Sequence, residues 1–269
     1  MNFKDNIDTN FAFELLEYSM GFTGLLRKIA IGSSESQSLC LVEKSEEEER
    51  VVGITPELET VSVLHNGEKV VIQRDQNTQA KIPSLFSKTS RPCPPFCVQP
   101  MSVAPNVETI AELELLDYLQ QAMEGSVVVV DSRLKNWVDK GTIPGSVHIP
   151  WTSLVASEGA TLKSKLNTLM NHFSVKLLSG KNAGDVSEAI ANNNQSEVFD
   201  YSSAKTLVLF CNGSWCGQTS ESIKALLELG YPAEKIKYYR DGMQGWVTLG
   251  FTISLNETCD VKKPSCDRL

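Results

Sequence analysis

Long apolar runs are missing from this sequence of 269 residues. None approaches the roughly 18 residues that a helical membrane span needs, so no membrane span is expected. The first ten residues, Met1 to Asn10, carry acidic side chains and lack the apolar centre of a secretory signal, which points to the cytoplasm. Positive charge is also short. Against 33 Asp and Glu there are 25 Lys and Arg, a net charge of -8, so nucleic acid and anionic lipid are not expected partners. With 41% hydrophobic and 22% charged residues the chain has the composition of a folded protein, long enough for one generous domain or two modest ones.

Seven cysteines, at positions 40, 93, 97, 211, 216, 259 and 266, would suggest a disulfide framework in a small secreted protein. In a chain this long with no export signal, metal, redox or catalytic use is the better question. No second cysteine or histidine pair stands at zinc spacing beside Cys93 and Cys97. A structural role is therefore favoured for that pair, and no metal or other cofactor is expected. Cys259 and Cys266 stay open between pairing, metal binding and free thiols.

Along the chain, Phe11, Leu15, Tyr18, Phe22, Leu25, Leu26 and Ile29 recur at steps of three and four, which predicts an N-terminal helix. Lys44 to Arg50 (KSEEEER) reads as a solvated charge run. Thr60 to Leu64 and Lys69 to Gln73, joined through Asn66-Gly67, predict a β-hairpin. Ser90 to Pro105 holds five prolines and reads as an extended connector. Beyond it the pattern alternates between helix and strand. Helices are expected at Thr109 to Met123, Leu162 to Phe173, Ser220 to Leu229 and Gly242 to Leu249. Buried strands are expected at Val127 to Val130, Ser146 to Ile149, Thr206 to Phe210 and Ile236 to Tyr239. Residues 180–203 read as an exposed insertion. The fold class is α/β, a doubly wound parallel sheet, with the N-terminal helix and hairpin as an extension.

Ligand sites in such sheets lie at the carboxyl ends of strands. There, after the buried strand LVLF, stands Cys211, at the head of a loop running into the next helix. Loop N–H groups and the helix end would stabilise an anion, so a Cys211 thiolate is expected. Gly213 and Gly217 would allow tight curvature, and Thr219 or Ser220 would cap the helix. Asn212, Gly213, Ser214, Trp215, Gly217 and Gln218 are then the anion-binding residues, with Cys211 the nucleophile. Cys216 is open between a small loop residue and a resolving thiol.

Four segments occur in order: Asp131-Ser132-Arg133, Gly141 to Pro150 (GTIPGSVHIP), Cys211, and Asp241 to Trp246 (DGMQGW). In these the chain resembles the rhodanese-like sulfurtransferase family, which implies a fold of that type over 107–255. The remaining divisions are 1–89 for the helix and hairpin, 90–106 for the connector and 256–269 for a tail. By resemblance, Cys211 would take a sulfane sulfur from thiosulfate or another donor as a persulfide and pass it to a thiol or protein acceptor. The family's loop pattern C-x-x-G-x-R-S is altered here: Cys216 stands where the arginine would be, the loop holds no arginine, and it is about two residues longer. Asp131 and Arg133 are expected to pair and fix the strand end beside the loop, His148 and Trp246 to pack in the core. The alternative function is a rhodanese-fold redox sensor or binding module in which Cys211 and Cys216 form a reversible disulfide without turnover.

Overall fold

Two alternating strands whose inward valines and isoleucine seek cover are the first strands in the computed structural model, which describes residues 51–255 apart from Leu85. The helix expected at 11–29, the charge run, Cys40, Cys259 and Cys266 lie outside the described residues. Strands β1 (Thr60–His65) and β2 (Glu68–Gln73) pair antiparallel. They meet through Asn66 and Gly67, both at positive φ, as an Asn-Gly turn requires.

The elements that follow are β3 (Glu108–Ile110), α1 (Glu112–Met123), β4 (Val127–Asp131), α2 (Lys135–Val138) and β5 (Val147–His148). Then come α3 (Leu162–Asn171), β6 (Lys176–Leu177), α4 (Ala183–Asn192), β7 (Phe199–Asp200), β8 (Thr206–Phe210), α5 (Gln218–Glu228), β9 (Ile236–Tyr239) and α6 (Gly242–Thr248). The central sheet runs β3-β9-β8-β4-β5, with every pair parallel.

A sheet covered on both faces needs strands that are apolar throughout, and β4 is buried at all five positions. Val127 and Val129 pack with Leu115, Leu116, Leu119, Met243 and Trp246 of α1 and α6. Val128 and Val130 point the other way, toward Leu169, Val186, Ile223 and Leu226 of α3, α4 and α5. The hairpin belongs to the first layer, with Val61, Val63 and Ile72 in the same core as α1.

Two expectations change. Helical periodicity assigned Thr109 and Ile110 to the first helix, but they lie in β3, paired to Tyr238 and Tyr239. Pairing between segments more than a hundred residues apart leaves no local signal. The insertion at 180–203 is not simply exposed. It forms α4, capped by Asn182, and β7, and it buries Val186, Ala189, Val198 and Phe199. Among the described residues no helix is long and apolar enough to cross a membrane.

Candidate active site

Strand β8 lies between β4 and β9, fully buried after its first residue, and Cys211 follows its last. The loop start is fastened to the first turn of α6. The Cys211 carbonyl accepts the Met243 N–H at 3.0 Å, and the Asn212 carbonyl accepts that of Gln244 at 3.0 Å. This close approach rests on Gly242, at φ 53°, where an added Cβ would stand 2.3 Å from the Cys211 oxygen. Gly242 is thus the glycine that shapes the site. Gly213 and Gly217, expected to supply curvature, have no positive φ. Gly213 serves close packing instead, since its Cβ would meet the Gln244 side chain at 3.1 Å.

Both loop thiols are free and buried, Cys211 at 2% exposure and Cys216 at 4%. The Cys211 thiol donates to the Cys216 carbonyl at 3.1 Å, and Asn212 Nδ2 points at the Cys216 sulfur at 3.8 Å. The expected ionisation is corrected here. Burial pushes the Cys211 thiol well up, and its contact with Cys216 pushes it further, against the weaker pull of the Thr219 hydroxyl and N–H. Cys216 is held down to about 7, first by the Cys211 thiol, against desolvation, with the N–H groups of Asn212 and Gln218 assisting. Two thiols this close ionise as a pair, and the first charge settles where more donors converge. That sulfur is Cys216. Helix α5 is also capped differently from expectation: Gly217 is its N-cap, without a side-chain cap bond, and Thr219 faces Cys211.

Asp131 and Arg133 form a fully buried pair beneath the loop, with Nη2 2.6 Å from Oδ2 and Nε 2.9 Å from Oδ1. Arg133 also donates to the Gly141 carbonyl at 2.7 Å, and Thr142 donates to Asp131 at 2.6 Å. The network joins the end of β4 to the 141–146 turn. It reaches the loop through the backbone, where the Ser132 N–H donates to the Phe210 carbonyl at 2.9 Å. His148 contributes a ring nitrogen 2.9 Å from the Arg133 carbonyl.

The rim comes from a part of the sequence read as a connector. Cys93 and Cys97 form a disulfide. Downstream of it the Gln99 N–H donates to the Ser214 carbonyl at 2.8 Å, and Arg240 donates twice to the Gln99 carbonyl, at 3.1 and 2.9 Å. Phe96 meets the Trp215 ring edge-on at 5.6 Å, and the Arg91 guanidinium carbon stands 3.8 Å from the Trp215 ring centroid. Trp215 itself donates to Gln244 Oε1 at 2.6 Å. The proline-rich segment is therefore seated on the loop rather than spanning a gap. Arg91 and Gln99 were not singled out in the sequence, Thr219 was named only as a helix cap, and Gly242 and Gln244 only as parts of the DGMQGW segment. Only the short Cys-Pro-Pro-Phe-Cys spacing hinted that this segment holds a fixed shape. Among the described residues no group of three or more His, Cys, Asp or Glu side chains is placed to hold a metal ion.

No curated protein matches the chain. A crystal structure of a full-length protein from Lactobacillus plantarum is 17% identical over 55% of this chain and 88% of its own, with a TM-score of 0.33. A solution NMR structure of a rhodanese-like domain from Anabaena is 12% identical over 60% of this chain and 86% of its own, with a TM-score of 0.31. The family model of the rhodanese-like domain matches residues 115–249, from within α1 to the end of α6. On that match, which spans half of the sequence, the chain belongs to the rhodanese-like domain family.

Proposed function

We propose that this protein is a sulfurtransferase in which Cys211 carries a sulfane sulfur as a persulfide and Cys216 acts on it. The observation that carries the reading is the pair of free, buried thiols in one loop at the carboxyl end of the central strand, with the Cys211 thiol donating into that loop. A dithiol with one proton has a nucleophile and a base built in. Cys211 gives its proton to the Cys216 sulfur and attacks the sulfane sulfur of a donor such as thiosulfate. The sulfur–sulfur bond of the donor breaks, sulfite leaves with the electron pair, and a persulfide anion remains on Cys211. An external thiol then takes the terminal sulfur. In the absence of one, the Cys216 thiolate attacks Cys211 Sγ of the protonated persulfide, closing a disulfide and expelling hydrosulfide. Two external thiols reopen that disulfide.

The buried neighbourhood also favours a second reading, a redox module in which the two thiols pair without turnover. The Cys216→Ser variant treated with thiosulfate separates the two. Under the sulfurtransferase reading its intact mass gains one sulfur atom per chain and sulfite appears in equal amount, while the wild type releases sulfide and loses two hydrogens. Loss of two hydrogens on oxidation, with neither sulfite nor added sulfur in either protein, would sink the sulfurtransferase reading in favour of the redox module.

A further inference from the structure

A guanidinium with no carboxylate partner among the described residues is stacked on Trp215, next to the dithiol in sequence. Arg91 is in no ion pair among the described residues, and its buried Nε has no hydrogen-bond partner. An unmet buried donor is costly, and stacking on Trp215 and Phe96, at 3.8 and 5.8 Å to the ring centroids, offsets only part of that cost. The residue as a whole is half-buried. Its position is held through Trp215, the residue next to Cys216, and through the disulfide-closed segment just downstream.

We propose that Arg91 is a specificity-determining residue that receives the charged sulfonate end of a thiosulfate-type donor at the mouth of the Cys211 and Cys216 loop. The inference rests on the sulfurtransferase reading. A fixed planar fork unpaired with carboxylate matches two oxygens of a sulfonate, and a pre-positioned guanidinium loses little freedom when it binds. The loading step gives the same group a second role. As the bond between sulfane and sulfonate sulfur breaks, the electron pair moves onto the departing sulfite, and a cation beside it is worth more as that charge grows. The geometry that brings the guanidinium to the loop is its stacking on Trp215, the residue before Cys216; burial lowers the Arg91 pKa, and attraction to Cys216 works the other way.

The test compares two donors on the full chain: thiosulfate, which carries the sulfonate charge, and a neutral dialkyl trisulfide, which does not. Loading is read by intact mass in a Cys216→Ser background: one added sulfur atom from thiosulfate with sulfite leaving, and one alkylthio or alkyldithio group from the trisulfide with an alkyl persulfide or alkanethiolate leaving. Arg91→Ala is expected to lower the ratio of thiosulfate to trisulfide loading rates by at least about tenfold, and Arg91→Lys by less. An unchanged ratio, or equal loss with both donors, overturns the inference and leaves sulfur transfer standing. Loading of the Cys216→Ser protein with Arg91 intact from the trisulfide alone also overturns it. Loading from neither donor overturns the sulfurtransferase reading, and this inference with it.

Discussion

The proton shared between Cys211 and Cys216 sets how the site responds to pH. Cys216 ionises at about 7, below the usual thiol value, so its thiolate is present above that pH and is lost as pH falls through it. Alkylation by a small reagent is therefore expected at Cys216 first, with a rate that falls about tenfold for each pH unit below 7. Peptide mapping of the first site modified checks this. First modification at Cys211, or a midpoint near the ordinary thiol pKa, would show that the charge sits elsewhere. That Cys211 stands at a reactive place was legible from one feature, a cysteine ending an apolar strand in an alternating α/β pattern. Which sulfur holds the charge was not. It depends on which loop N–H groups converge on which sulfur, and residue types do not reveal that. Arg91 was hidden for a similar reason: it is more than a hundred residues from the loop in sequence, and only tertiary packing brings it to Trp215.

At the scale of elements, the two helices and the strand that frame the loop were readable because their signals are local. The run Thr206 to Phe210 is apolar after its first residue, and Gly230 follows the end of α5 at positive φ, as a helix stop requires. The junction between β8 and α6 was not readable, since it is made by contact between two segments about thirty residues apart. Gly242 carries it. In Gly242→Ala the new methyl would collide with the Cys211 carbonyl, and a side chain would be forced to φ 53°. Overpacking and backbone strain each contribute roughly 1–3 kcal/mol, so the variant is expected to melt well below the wild type and to lose sulfur loading with it. Gly217→Ala is the control. That residue has φ -78°, and its Cβ would meet only the Gln99 side chain at 3.5 Å, so a small change is expected. Equal melting temperatures for the two variants would refute the role given to Gly242.

For the whole molecule, the question is whether the hairpin and the proline-rich segment are accessories to the sheet or part of its core. Sequence periodicity finds a hairpin but not the surface it covers, so by periodicity alone the segment before the sheet reads as an accessory. The contacts point the other way. Val61, Val63, Ile72 and Phe86 are buried in the layer that holds Leu115, Leu119 and Trp246. His65 Nδ1 accepts the Gly145 N–H at 3.1 Å, the Thr252 N–H donates to the Gln73 carbonyl at 3.0 Å, and the Gln73 N–H donates to Thr252 Oγ1 at 3.0 Å. Arg74 donates to the Leu249 carbonyl at 2.8 Å. The hairpin thus touches α1, the 141–150 turn and the segment after α6. Burying a large apolar side chain is worth roughly 1.5–3 kcal/mol, so stripping the partners of four such residues removes an amount comparable with the whole stability of a domain, about 5–15 kcal/mol. A chain beginning at Val103 is therefore expected to unfold at markedly lower denaturant concentration than the full protein, and to expose the apolar face of α1 to a hydrophobic dye. It would also lack Arg91, so whatever fraction stays folded should load thiosulfate poorly. Equal denaturation midpoints with and without residues 1–102 would show that the sheet and its helices stand alone and that the hairpin is only an attachment.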